Sequence, residues 1–235
     1  MAKMVLAPGF WLGAWAWDEV AGELRRRGDE VVALTLPGLD AGDPGRLDTT
    51  LVDQAHAIVA AAPEPVVLVA HSGAALPAYL ATDLAPERFS RVIYVDTAPL
   101  PDGFVAIPAL GDAPEFPLAD WSQVEADGNS LEGLDEAALA RFRERAVPVP
   151  AGVAGAPLKL SDSDARLSVP TTLVCTSWPS EVVRQGAQAG QVPIFAEVAR
   201  FDTELLDYVD LPTGHWPMWS KPVELAEILH EVANR

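Results

Sequence analysis

Apolar residues in this chain gather in short dense runs separated by polar and small residues. Met4–Ala7, Glu30–Leu36, Val66–Val69, Arg91–Val95, Thr171–Cys175 and Glu204–Val209 are brief stretches rich in Val, Leu, Ile, Thr and Tyr. Runs of this length predict strands, and those without alternation predict strands buried on both faces. Elsewhere the spacing turns helical. Trp17, Val20, Ala21 and Leu24 share one face, as do Leu51, Ala55, Ile58 and Val59, and Leu225, Ile228, Leu229 and Val232; Leu76 to Leu84 is a further helix with Pro77 in its first turn. Arg25-Arg26-Arg27-Gly28 supplies a cationic last turn and a glycine stop. Thr50-Leu51-Val52-Asp53 has the layout of a capping box with aspartate as the acid, and Ser220 is placed to cap the closing helix. Strands alternating with helices predict an α/β domain: about six mostly parallel strands with helices on both faces.

One interval breaks the rhythm. Residues 97–170 separate the fourth and fifth strands, far more chain than an ordinary connection needs. Leu134 to Ala146 reads as a helix carrying Leu134, Ala138 and Phe142 on one side, and its flanks are rich in Pro, Gly, Asp and Ser. The expectation is a single domain over 1–235 with 97–170 as an inserted helical lid, more mobile than the sheet because it has few periodic apolar faces.

Composition narrows the partners. The chain has 235 residues, 49% of them hydrophobic, enough to bury a full core. A net charge of −18 sets it against polyanions, so neither nucleic acid nor an anionic membrane is an expected partner. The charge-free run Pro65–Thr82 approaches membrane-span length, but Pro65, His71, Ser72, Gly73 and Pro77 make it strand, turn and helix. The lone cysteine, Cys175, excludes an intrachain disulfide, fits a reducing compartment and lies in an apolar run suited to packing. Met1–Leu6 runs straight into a strand with no signal-peptide pattern, so the expected location is cytoplasmic. No His, Cys and carboxylate set has metal-ligand spacing, and neither metal nor cofactor is expected.

The candidate chemistry centres on Val66-Val67-Leu68-Val69-Ala70-His71-Ser72-Gly73-Ala74-Ala75. A buried strand running into a helix through small residues places Ser72 on a sharp turn, its hydroxyl clear of both elements. The N–H of Gly73, at the helix start, can then face an oxyanion. Ala70 and Ala74 are small enough for such a turn. Parallel sheets carry their sites at the carboxyl ends of the strands. Gly9-Phe10-Trp11 follows the first strand, Ser72 the third, Asp96 the fourth, Ser180-Glu181 the fifth and Gly214-His215-Trp216-Pro217 the sixth. A serine, an acid and a histidine thus meet along one edge.

From Met4 onward the chain resembles the α/β-hydrolase family, whose members order their catalytic groups serine, acid, histidine. His71-Ser72-Gly73 is similar to the family's nucleophile turn G-x-S-x-G, with alanine at both outer positions. Gly9-Phe10 is similar to its oxyanion loop, with Pro8 where histidine is usual, and Gly214-His215 to its histidine segment. The resemblance implies an α/β-hydrolase fold, Ser72 as nucleophile, His215 as general base, and Phe10 and Gly73 as oxyanion donors. For the acid it points to Asp96 first, with Glu181 as the alternative; Asp102, Asp207 and Asp210 are further candidates ranked below both. Trp11, Trp178 and Trp216 lie in loops beside that edge and either line an apolar substrate pocket or pack the core. The expected activity is cleavage of an ester or lactone of a small, largely apolar molecule. Two alternatives stand beside it. One is a lyase resembling hydroxynitrile lyases, which generally add a positioned lysine; only Lys3, Lys159 and Lys221 are present. The other is a binding module that has lost catalysis. Oligomeric state stays open.

Overall fold

The computed structural model describes residues 1–190 and 192–235. Its eight strands, among the described residues, are β1 (Lys3–Ala7), β2 (Glu30–Ala33), β3 (Val66–His71), β4 (Phe89–Val95), β5 (Glu115–Phe116), β6 (Val149–Pro150), β7 (Thr171–Cys175) and β8 (Leu206–Asp210). The helices are α1 (Asp18–Arg26), α2 (Leu51–Ala60), α3 (Ala75–Leu84), α4 (Trp121–Ala126), α5 (Glu136–Arg145), α6 (Ala151–Ala154), α7 (Ser180–Ala189), α8 (Pro217–Ser220) and α9 (Pro222–Ala233).

Six strands form one sheet in the order β2-β1-β3-β4-β7-β8, every pair parallel. Burial follows position. All six residues of β3 and all five of β7 are buried, whereas the edge strands β2 and β8 are half-buried or exposed throughout. That is why the inner strands read as unbroken apolar runs. From β1 the chain steps to β2 on one side, and from β2 it returns past β1 to β3. Right-handed crossovers therefore put α1 on one face and α2 and α3 on the other. The helix contacts agree, α1 packing on α9 and α2 on α3.

The local signals act through the expected atoms. Thr50 accepts the N–H of Asp53 at 3.3 Å and the Asp53 carboxylate accepts the N–H of Thr50 at 2.9 Å, a reciprocal cap on α2. Gly28 follows α1 with φ +94°, a conformation that favours glycine. Two expectations are corrected. The second strand stops at Ala33 because the chain turns inward, Leu36 being buried and the Thr35 hydroxyl accepting the N–H of Ala14. Ser220 ends α8 instead of capping α9, its hydroxyl bonded to Thr213 and to the carbonyl of Trp216.

The insertion between β4 and β7 carries α4, α5, α6 and the two-stranded antiparallel β5–β6 pair. It is attached at named points. Phe142 of α5 is fully buried, its ring 6.3, 5.2 and 5.1 Å from those of Trp11, Trp216 and Trp219. Arg141 donates to the carbonyl of Trp15 and to Asp18, and Arg145 lies over the Trp15 ring. Among the described residues no helix is long and apolar enough to cross a membrane.

Candidate active site

β1 and β3 are neighbours in register, Ala7 beside Ala70, yet the helices that follow them lie on opposite faces. A crevice opens where the two chains part, and such a reversal of strand order is where α/β sheets bind ligands. Gly9, Phe10 and Trp11 leave β1 on one side of it; Ser72 and Gly73 leave β3 on the other. The fit is close. A Cβ on Gly73 would stand 2.3 Å from the Phe10 ring, and one on Gly9 would stand 2.8 Å from both the Ser72 Cβ and the His71 Nδ1. Only glycine permits that approach at either position.

Among the described residues three non-glycine residues have positive φ: Trp11 at 67°, Ser72 at 52° and Asp96 at 49°. Each closely follows one of the adjacent strands β1, β3 and β4, so left-handed backbone marks this edge of the sheet. There the Ser72 hydroxyl donates to His215 Nε2 at 2.7 Å, and His215 Nδ1–H donates to Asp96 Oδ2 at 2.6 Å. Asp96 also accepts the N–H groups of Thr176 and Ser177, at 3.2 and 2.9 Å, and the Ser177 hydroxyl at 2.5 Å. Burial alone raises the Asp96 pKa; the bond from His215, its charge when protonated, and the bonds from Ser177 outweigh that and hold it at about 2. A carboxylate so held stays ionised and fixes the proton of His215 on Nδ1, leaving Nε2 as the acceptor facing Ser72.

Glu181, in the first turn of α7, bonds Gln185 at the surface and is not brought to His215. Asp102 accepts the N–H of Leu160, Asp207 faces Arg91 and Arg235, and Asp210 accepts from Ser180. Trp11 is nearly buried and lines the cavity described below, whereas Trp178, 48% exposed, borders a second one. Trp216 takes the second of the two roles expected for it: 2% exposed between the rings of His215 and Phe142, it packs the core and lines neither cavity. The chain turns into α8 directly after Trp216, which brings its ring under α5 and away from the crevice.

Three anchors on the His215 loop come from distant segments. The His71 ring, 1% exposed, donates from Nε2 to the His215 carbonyl at 2.7 Å, its centroid 5.0 Å from the His215 ring. Burial, then the neighbouring His215, push its pKa down to about 3, so it stays neutral. As the residue before Ser72, His71 turns away from the serine's side of the strand end and toward the backbone of His215 itself. Ser130 of the insertion accepts the N–H of His215 at 2.8 Å, and the Thr176 hydroxyl donates to the Gly214 carbonyl at 3.1 Å. A Cβ on Gly214 would stand 2.5 Å from the carbonyl oxygen of Glu132, so the insertion presses directly on this loop.

A cavity of about 590 Å³ opens at Ser72. Phe10, Trp11, Ser72, Gly73 and His215 line its floor; Leu100, Phe104, Ile107, Phe116 and Val124 supply apolar walls from the insertion. Among the described residues no group of three His, Cys, Asp or Glu is arranged to hold a metal ion. Burial, then the Asp210 and Asp96 carboxylates, push the Cys175 thiol up to about 12, leaving it protonated.

The chain belongs to the alpha/beta hydrolase family, whose family model matches residues 4–228. It is similar to a carbendazim hydrolyzing esterase of Nocardioides sp. (strain SG-4G), 28% identical over 247 residues that cover 97% of this chain and 98% of the relative. It is also similar to methylesterase 7 of Arabidopsis thaliana, 26% identical over 263 residues, covering 99% and 96%. Among solved structures, an extracellular alpha/beta-hydrolase from a Paenibacillus species shares the fold with a TM-score of 0.71 at 20% identity, covering both chains fully. Both relatives are named as esterases.

Proposed function

We propose that the protein is a serine hydrolase that cleaves an ester or lactone of a small, largely apolar molecule through an acyl-enzyme. The observation that carries this reading is the unbroken hydrogen-bonded chain from Asp96 through His215 to Ser72, ending at the mouth of an apolar cavity. Ser72 Oγ attacks the carbonyl carbon as its proton passes to His215 Nε2, and Asp96 stabilises the imidazolium. The oxyanion is received by the N–H groups of Phe10 and Gly73, which leave β1 and β3 on facing sides of the crevice. His215 then gives the proton to the departing alcohol. Water, deprotonated by the same nitrogen, attacks the acyl-enzyme and releases the acid with Ser72 restored. No lysine lines the cavity, which leaves the lyase reading without the cation it needs. Residues 97–170 act as the lid that supplies the apolar walls. A single cysteine left free, Cys175, is what a reducing, cytoplasmic setting would leave.

The test is labelling by a fluorophosphonate probe together with hydrolysis of a short-chain p-nitrophenyl ester. The wild type should label, and Ser72→Ala should neither label nor turn over, with a loss on the order of 10⁴–10⁶ in kcat. An unlabelled wild type would favour the binding module; a Ser72→Ala variant with full turnover would move the nucleophile elsewhere.

A further inference from the structure

We propose that the second cavity, behind His215, is the subsite for the alcohol half of the ester and that it selects an alcohol bearing a single apolar ring. The inference rests on the hydrolase reading above. The two cavities adjoin: Asp96, Thr97, Asp127, Asn129, Ile194 and His215 line both. Ser72 and Gly73 line only the larger, so the carbonyl under attack lies there. The leaving oxygen must take its proton from His215 Nε2 and therefore lies on the histidine side of that carbonyl. His215 borders both cavities, and from that point the substituent of the alcohol passes along their shared lining into the smaller one, which Ser72 does not border. The acyl group is left with the larger space.

Size and chemistry define what the smaller cavity takes. Its volume is about 210 Å³, and an apolar protein cavity of about 150 Å³ already holds benzene. Leu173, Cys175 and Val183 form its inner wall, and Trp178 with Phe195, ring centroids 6.0 Å apart and steeply inclined, forms its outer one. Such a wall offers edges and faces for an aromatic ring. No lysine or arginine lines either cavity, and the carboxylates of Asp96 and Asp127 border both, so an anionic alcohol is excluded. A methyl group leaves most of this space without contacts.

The experiment compares methyl butyrate with benzyl butyrate, esters of one acid with alcohols of similar acidity, in the wild type, Trp178→Ala and Val183→Phe. Trp178 and Val183 line only the smaller cavity. The expected wild-type result is a kcat/KM for the benzyl ester at least about tenfold above that for the methyl ester. That ratio should fall severalfold in Trp178→Ala, which removes an exposed wall, and toward one in Val183→Phe, which fills the space. Circular dichroism checks that both variants fold; Trp178→Ala, at an exposed position, keeps the test decisive if Val183→Phe does not. A wild-type ratio near or below one, or a ratio unchanged in Trp178→Ala, overturns the subsite while leaving the hydrolase reading intact. Absence of Ser72-dependent turnover of both esters overturns the hydrolase reading and the subsite with it.

Discussion

From Val66 to Thr82 every residue is buried except Ser72 and Gly73, whereas in α5, Glu136 to Arg145, only Phe142 is buried. The two stretches are inverses. In the first, an apolar background is interrupted at the two positions proposed to meet substrate, and the half-buried residues carry the chemistry. In the second, a solvated helix is interrupted at one position, and the buried residue carries the attachment. The rigidity of β3 and α3 is spread over many contacts, while α5 depends on one ring among tryptophans and on the arginines beside it.

That contrast predicts where substitutions act on rate and where on stability. The largest effect is expected at the site. Asp96→Asn should fold and lose about 10⁴ in kcat at neutral pH, because an amide can offer the wrong tautomer and no charge to the imidazolium. Glu181→Gln should stay near wild type; the reverse pattern in esterase assays would assign the acid to Glu181. Asp96 has a folded pKa below its ordinary 3.8. Its ionisation therefore contributes stability that is complete above that value and is lost as pH falls toward about 2. Urea unfolding across that window should show Asp96→Asn losing less stability than the wild type.

The next effect tests whether a wholly buried neighbour of Ser72 contributes to rate. His71→Leu removes the donor that holds the His215 carbonyl and should lower kcat about 10²-fold with little change in KM, since a displacement near 1 Å in reacting groups costs that much. His71→Gln can still donate an N–H and should recover much of the loss. Equal defects in both variants would make His71 a packing residue alone.

The smallest effect on chemistry and the largest on stability belongs to α5. Phe142→Ala should cost about 3–5 kcal/mol by thermal or urea unfolding. It should also speed limited proteolysis within 97–170 before any cut in the sheet. Cleavage first in the sheet strands would contradict the idea that this region is the less securely held part and would undo the lid assignment.

How much of this was legible in the sequence follows from the same contrast. Inner strands and α3 announce themselves because both of their faces are buried, so Val66–Val69 and Thr171–Cys175 read without ambiguity. The capping box at Thr50 and Asp53 is local, and local chemistry can be read locally. The serine, the histidine and Asp96 could be placed along one edge because strand ends are ordered by topology. What stayed hidden depends on residues far apart in the chain. His71 and His215 are 144 positions apart, and nothing in either neighbourhood states that a side chain of one meets the carbonyl of the other. Trp216 was ambiguous for the same reason, since only the position of α5 decides whether its ring faces cavity or core. The two-residue strands β5 and β6 are too short for any period to register. Ser177, by contrast, had a usable signal, a hydroxyl residue just past a central strand at the active edge.

The left-handed backbone at Trp11, Ser72 and Asp96 has a consequence for how such a protein can be improved. At Ser72 that conformation costs on the order of 1–2 kcal/mol for anything but glycine or a locally bonded Asn or Asp, and unlike Trp11 the small serine side chain offers little buried packing to offset it. Selection for heat resistance alone, blind to turnover, would therefore be drawn to glycine at position 72 and would gain robustness by erasing the nucleophile. Thermostable lineages of this chain should keep Ser72 only where activity is demanded in the same screen.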